Sequence, residues 1–199
     1  MNRKLVLIRH ASTTAEKTSL VGKIDLPLSD EGKKDAQNYF GNILIQSSPV
    51  QLYVSTLLRA QQTAGIMFPG CKFKADARIN EIDIGNWSNM NFSQISEKFP
   101  EAVDTWTKHP LEFRFPKGEG VDEFILRINN FLDSEILGFE GNSVMVCHGG
   151  VIRFIICRML NIGYIHHLAF EVFRPSVNII DHDGKTGVLT GLNIDKLVI

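Results

Sequence analysis

The chain has 199 residues, 44% of them hydrophobic and 22% charged, enough for one sizeable core and too few to call for a second. A formal net charge of -1 excludes the basic field that a nucleic-acid binder needs, so an anionic partner must be recognised by a few placed side chains. No apolar stretch is long enough to span a bilayer, so neither nucleic acid nor membrane is expected as a partner.

Residues 5–8 form an apolar run, read as a short strand buried on both faces, that stops abruptly at Arg9 and His10. It delivers a guanidinium and an imidazole to a sheet edge, where ligands of open α/β sheets bind. The hydroxyl-rich run 12–19 reads as a loop over that strand end. Ser29 is expected to cap a helix with Asp30 and Glu31 in its first turn and an apolar stripe of Ala36, Tyr39, Phe40, Ile43 and Leu44. Residues 51–55 read as a second strand, after which Ser55 or Thr56 caps a helix carrying Arg59 in its first turn. A cation there opposes the helix dipole unless an anion stands in front of it, although Arg59 alone reads more readily as an exposed helix arginine.

Residues 71–77 suggest a short strand or link. Glu81 and Asp83 then lie among apolar neighbours closed by Gly85 and Trp87, where either can be a general acid of raised pKa or a solvated loop acid. A weak helical pattern over 92–99 ends before Pro100. Up to Gly120, Pro110 and Pro116 interrupt a mixture of aromatic and charged residues, read as a cap of about 88–120. Trp87, Trp106 and Arg114 are the expected substrate contacts; an ordinary packed excursion is the alternative.

A strong amphipathic helix is expected from Val121. Residues 143–147 repeat the opening pattern, a buried strand ending in His148, followed by Gly149, Gly150 and an apolar helix over 151–160. The two glycines offer bare backbone N–H groups to an anion. Cys147 should point away from the face His148 uses, which argues against a Cys-His nucleophile. Residues 177–181 and 186–192 suggest an edge hairpin around Asp183 and Gly184, and His166, His167 and His182 read as surface residues. Cys71, Cys147 and Cys157 are odd in number and widely spaced, with no signal-peptide core ahead of them, which fits a reducing, cytoplasmic location.

Arg9, His10, Arg59, Glu81 and His148 together suit a phosphoryl centre. Two guanidiniums can clamp phosphate oxygens, one imidazole can attack phosphorus, the other can stabilise charge, and the carboxyl group can protonate the leaving oxygen. The motifs Leu7-Ile8-Arg9-His10, Leu26-Pro27-Leu28-Ser29-Asp30-Glu31-Gly32, Ser55-Thr56-Leu57-Leu58-Arg59-Ala60, Asn80-Glu81-Ile82-Asp83-Ile84-Gly85-Asn86-Trp87 and Val146-Cys147-His148-Gly149-Gly150 occur in the order seen in the histidine phosphatase superfamily. The chain resembles that family over nearly its whole length. The resemblance implies a single domain over 1–199 with the phosphoglycerate mutase-like fold, a three-layer α/β/α sandwich on a mostly parallel sheet.

The resemblance makes His10 the nucleophile that becomes phosphohistidine, places Arg9, Arg59 and His148 around the phosphate, to which the N–H of Gly149 is expected to add, and favours Glu81 over Asp83 as proton donor. No metal or other cofactor is implied. The family's usual glycine after the nucleophile is Ala11 here, its frequent asparagine is Glu16, and its Gly-Glu-Ser is Gly118-Glu119-Gly120. A carboxylate would repel phosphate, so a hydroxyl of Ser12, Thr13 or Thr14, with Thr13 preferred, is expected in place of that asparagine. Within the superfamily the chain looks most like α-ribazole-5′-phosphate phosphatases of the cobalamin pathway. A phosphoglycerate mutase or broad-specificity phosphatase, a metal enzyme using His10, His148 and Glu81, and a non-catalytic phosphoryl-ligand-binding module are the rival readings. The expected partner is a small phosphate ester, and a homodimer is compatible with the sequence.

Overall fold

The computed structural model describes residues 3–40, 43–44, 50–194 and 197–198. In chain order the strands are β1 (Arg3–Arg9), β2 (Ile43–Leu44), β3 (Val50–Ser55), β4 (Lys74–Asp76), β5 (Asn142–Cys147), β6 (Ser176–His182), β7 (Gly187–Ile194) and β8 (Leu197–Val198). The helices are α1 (Asp30–Phe40), α2 (Leu58–Met67), α3 (Phe92–Lys98), α4 (Pro100–Lys108), α5 (Val121–Phe131) and α6 (Gly149–Met159). Six strands form one sheet in the order β4-β3-β5-β1-β6-β7, and β2 pairs with β8 separately. The first four are mutually parallel, while β6 runs against β1 and β7 against β6. This is the expected α/β sandwich on a mostly parallel sheet.

Alternation along the strands divides the core between two layers. Leu5, Leu7, Met145 and Cys147 pack with α5 and α6 through Phe124, Ile128, Ile152 and Ile155. Val6, Ile8, Val144 and Val146 pack with α1 and α2 through Ala36, Ala60, Ala64 and Met67. Residues 5–8 of β1 and 144–147 of β5 have no solvent exposure at all, so these two strands form the centre of the sheet. Cys147 lies in the first layer, as its alternation with His148 predicts.

Several local expectations need correction. Helix α1 is capped by Ser29, whose Oγ accepts from Gly32 N at 3.0 Å, but it stops at Phe40. Ile43 and Leu44 instead form the ladder with Leu197 and Val198, a long-range pairing that overrides the helical spacing. The side chains of Phe40, Ile43 and Leu44 lie outside the described residues. Neither Ser55 nor Thr56 caps α2; Leu57 holds that position without a side-chain bond, and Asp25 Oδ1 accepts from Leu58 N at 2.6 Å. Beyond Pro100 the chain is more regular than its prolines suggested, because Pro100 opens α4, a position where its missing N–H costs nothing.

The hairpin of β6 and β7 sits at the sheet edge, with Asp183 Oδ1 accepting from Lys185 N and Thr186 N at 2.8 and 2.9 Å. His182 is no surface residue. It is 2% exposed on the inner face of β6, neither ring nitrogen has a partner among the described residues, and burial and the Arg3 guanidinium push its pKa down. A lowered histidine pKa means that below the ordinary value of 6.5 the unfolded chain binds a proton that the folded one refuses, so stability is lost as pH falls through that region. His182→Leu should therefore reduce the decline of the urea midpoint between pH 7 and pH 5 without changing the denaturant slope; an unaltered decline would show that other groups control it.

Candidate active site

Three parallel strands bring their carboxyl ends together. β1 ends at Arg9 opposite Cys147 of β5, and Val54, the residue before Ser55, lies opposite Val146. His10 and His148 follow immediately on β1 and β5. The backbone N–H of His10 donates to Cys147 O at 3.0 Å, and the two ring centroids stand 5.1 Å apart.

The partners of each imidazole determine where its proton resides. A carbonyl can only accept, so His10 Nδ1, 2.7 Å from Ala11 O, carries the hydrogen. Arg59 Nε can only donate, and it donates to His10 Nε2 at 3.2 Å. His10 is thus neutral with its lone pair on Nε2. Burial first, then the guanidiniums of Arg59 and Arg9, hold its pKa well below the usual imidazole range.

His148 is set by a longer chain of bonds. Thr56 N–H donates to Asn80 Oδ1 at 2.9 Å, which fixes the orientation of that amide. Ser55 Oγ, 2.7 Å from the same oxygen, must direct its proton there and is left to accept, from Leu57 N at 3.2 Å and from His148 Nε2 at 2.7 Å. His148 therefore bears hydrogen on Nε2, while Nδ1 is buried without a partner among the described residues. Burial, followed by His10, Arg59 and Arg9, lowers its pKa well below the usual range.

Arg9, His10, Arg59, Glu81 and Gly149 line a cavity of about 260 Å³, and His148 is fully buried against the ring of His10. Glu81 Oε2 accepts from Gly150 N and Oε1 from Ile82 N, both at 3.1 Å. A Cβ on Gly150 would stand 2.3 Å from Glu81 Oε1, so only glycine lets the carboxylate approach the start of α6. Asp83 is turned away and accepts from Gly85 N at 3.0 Å, which leaves Glu81 as the acid of the cavity.

Arg59 is 1% exposed and donates to Ile24 O and Gly22 O at 2.6 and 2.7 Å. Arg9 Nη1 donates to Val172 O, and its buried Nε has no partner among the described residues. Burial, then the charge of Arg174, pushes the Arg9 pKa down to about 9, still cationic at neutral pH. Among the described residues no three His, Cys, Asp or Glu side chains are grouped to hold a metal, so His10, His148 and Glu81 do not form a ligand set.

The aromatic wall is partly as expected. Trp87 and Trp106 line the cavity with Phe92 and Phe115, and the Trp87 ring meets Phe115 edge-on at 5.2 Å. Arg114 lies outside it, because its guanidinium is held by Glu123 on the solvent side. Thr13 is also outside: it bridges Leu28 across the loop, and its Oγ1 accepts from Ala15 N at 3.4 Å. The loop faces the cavity through residues 19–22 instead, and Glu16 is exposed away from it.

Sequence reasoning missed the supports. Arg127 of α5 donates to the carbonyls of Arg78, Asn80 and Glu81 at 2.7, 2.8 and 3.2 Å and pairs with Glu119 at 2.6 Å, pinning the segment that presents the acid. It also missed Arg153 and Arg174 in the cavity wall. Arg153 had a visible signal, a charge within an apolar helix one turn after the glycine pair; Arg174 had none.

A model of the histidine phosphatase superfamily (branch 1) matches residues 5–195. The chain belongs to that superfamily. Phosphoserine phosphatase 1 of Hydrogenobacter thermophilus is 29% identical over 200 residues, covering 96% of this chain and 92% of its own. An Escherichia coli structure described as a candidate alpha-ribazole-5′-P phosphatase aligns over 100% of both chains with a TM-score of 0.88 at 24% identity. The alpha-ribazole phosphatase of Shigella flexneri aligns over 98% of both with a TM-score of 0.85 at 25% identity. This histidine phosphatase is accordingly a phosphoric monoester hydrolase.

The bond chain to His148 can be tested directly. Nitrogen NMR of the resting protein should show His148 protonated at Nε2 and bare at Nδ1, and Ser55→Ala should abolish that preference. Losing a bond to a group that becomes charged should lower kcat about tenfold to a hundredfold, with partial rescue in Ser55→Thr; an unchanged tautomer in Ser55→Ala would refute the assignment.

Proposed function

We propose that this phosphatase hydrolyses a small phosphate monoester through a phosphohistidine on His10, without a metal. The observation that carries the reading is the lone pair of His10 Nε2, held neutral beside the guanidiniums of Arg9 and Arg59 at the wall of a cavity. Arg9, Arg59 and the N–H of Gly149 take the phosphoryl oxygens, and Arg59 releases Nε2 as it does so. The bond from Nε2 to phosphorus forms as the ester P–O bond breaks, and protonated Glu81 gives its hydrogen to the departing oxygen. Water then attacks phosphorus, Glu81 takes its proton, and the N–P bond breaks to release phosphate. His148, able to take a proton at Nδ1, stabilises charge on the phosphoryl group in both steps.

Segment 88–120 acts as the cap that selects the substrate within a single domain over 1–199. Its aromatic side chains suit a flat base, and together with the likeness to alpha-ribazole phosphatases this supports α-ribazole 5′-phosphate as substrate and a place in cobalamin biosynthesis. A second reading, a phosphate ester that also bears a carboxylate, is favoured by Arg153 and Arg174 in the same wall and by the likeness to a phosphoserine phosphatase. The buried thiols of Cys147 and Cys157 suit a reducing cytoplasm.

Incubation with labelled ester, quenched within a turnover, should give an acid-labile phosphoryl adduct that is absent from His10→Ala. Phosphate release should persist in excess chelator and exceed phosphate transfer to an acceptor alcohol. Full activity of His10→Ala, or its loss on chelation alone, would overturn the mechanism.

A further inference from the structure

Phosphoryl transfer uses Arg9 and Arg59, yet the cavity holds two more guanidiniums. Arg153 projects from α6 and is tethered by one bond, from Nε to Phe170 O at 2.8 Å. Arg174 lies on the segment entering β6, half-buried, with no hydrogen bond or ion pair to any described residue. Glu81 is the only acidic residue of the wall among the described residues, and both its oxygens already accept backbone N–H bonds. Much of the remaining wall is apolar, from Leu20 and Ile82 to Phe92 and Trp106, and supplies no second carboxylate among the described residues.

A partly desolvated charge without a protein counter-charge is costly unless a ligand supplies one. With Glu81 holding the proton that it gives to the leaving oxygen, four guanidiniums face a phosphoryl dianion that answers two of their charges. The charge left over can hold a further anionic group.

We infer that Arg153 and Arg174 form a second anion subsite that binds a carboxylate carried by the substrate a few bonds from phosphorus, so that the natural substrate is a small phosphorylated carboxylic acid. This rests on the phosphatase reading above and goes beyond it by deciding between its two substrate classes. Burial lowers the Arg174 pKa and Glu81 alone opposes the shift, consistent with a guanidinium short of negative partners.

The test compares 3-phosphoglycerate with glycerol 3-phosphate, which differ by a carboxylate against a hydroxymethyl group. The unmodified protein should favour the acid in kcat/KM by about tenfold to a hundredfold, the range of one charge-assisted hydrogen bond, chiefly through KM. The ratio should fall in Arg174→Met and in Arg153→Met and approach one in the double variant. A ratio near one in the unmodified protein, or one that survives in the double variant, would overturn the subsite, as would a greater preference for a sugar bisphosphate over its monophosphate than for the acid over the alcohol. Calorimetric affinities for the same two esters separate the two layers of the inference. Preferential binding of the acid without turnover would reject the phosphatase reading and keep the subsite, whereas turnover with equal affinities would do the reverse.

Discussion

The parallel pairing of β1 with β5 is the constraint on which the site depends. Register places Arg9 opposite Cys147, so the residues that follow, His10 and His148, leave adjacent strands at the same level and bring their rings to 5.1 Å. A slip of one residue would turn every side chain of β1 to the other face, sending Leu5 and Leu7 into the layer built for Val6 and Ile8. The apolar pattern of β1 thus protects the chemistry at its end.

Around those imidazoles, groups whose hydrogen-bonding roles cannot change set the roles of groups that could go either way. The carbonyl of Ala11 and the guanidinium of Arg59 leave His10 one tautomer; the amide of Thr56, acting through Asn80 and Ser55, leaves His148 the opposite one. The two rings therefore present different nitrogens although both follow parallel strands. Burial among cations keeps both neutral, so the nucleophile is available without a separate base to deprotonate it.

Most of the fold was legible because its strands are continuous apolar runs and its helices carry stripes, signals that depend only on local periodicity. His10, His148 and Gly149 were legible for the same reason, since each follows a recognisable strand. Glu81 could be narrowed to a pair with Asp83 but not chosen from residue chemistry, because the choice depends on the backbone N–H groups of Gly150 and Ile82 donating to one carboxylate and that of Gly85 to the other. Arg174, Arg127 and Asn80 were illegible because their roles arise only when distant segments pack together. Arg114 and Thr13 were misread for the converse reason: suitable side chains in suitable segments were claimed by nearer partners, Glu123 and the N–H of Ala15.

The position of β1 also bears on how the molecule is made. Strand β1 pairs on one side with β5 and on the other with β6, both more than a hundred residues downstream. Its wholly apolar centre therefore gains its native neighbours only once both of those strands have been synthesised. Pairing of this strand therefore makes long-range contacts of the sheet and assembles the two imidazoles of the catalytic pocket in the same step.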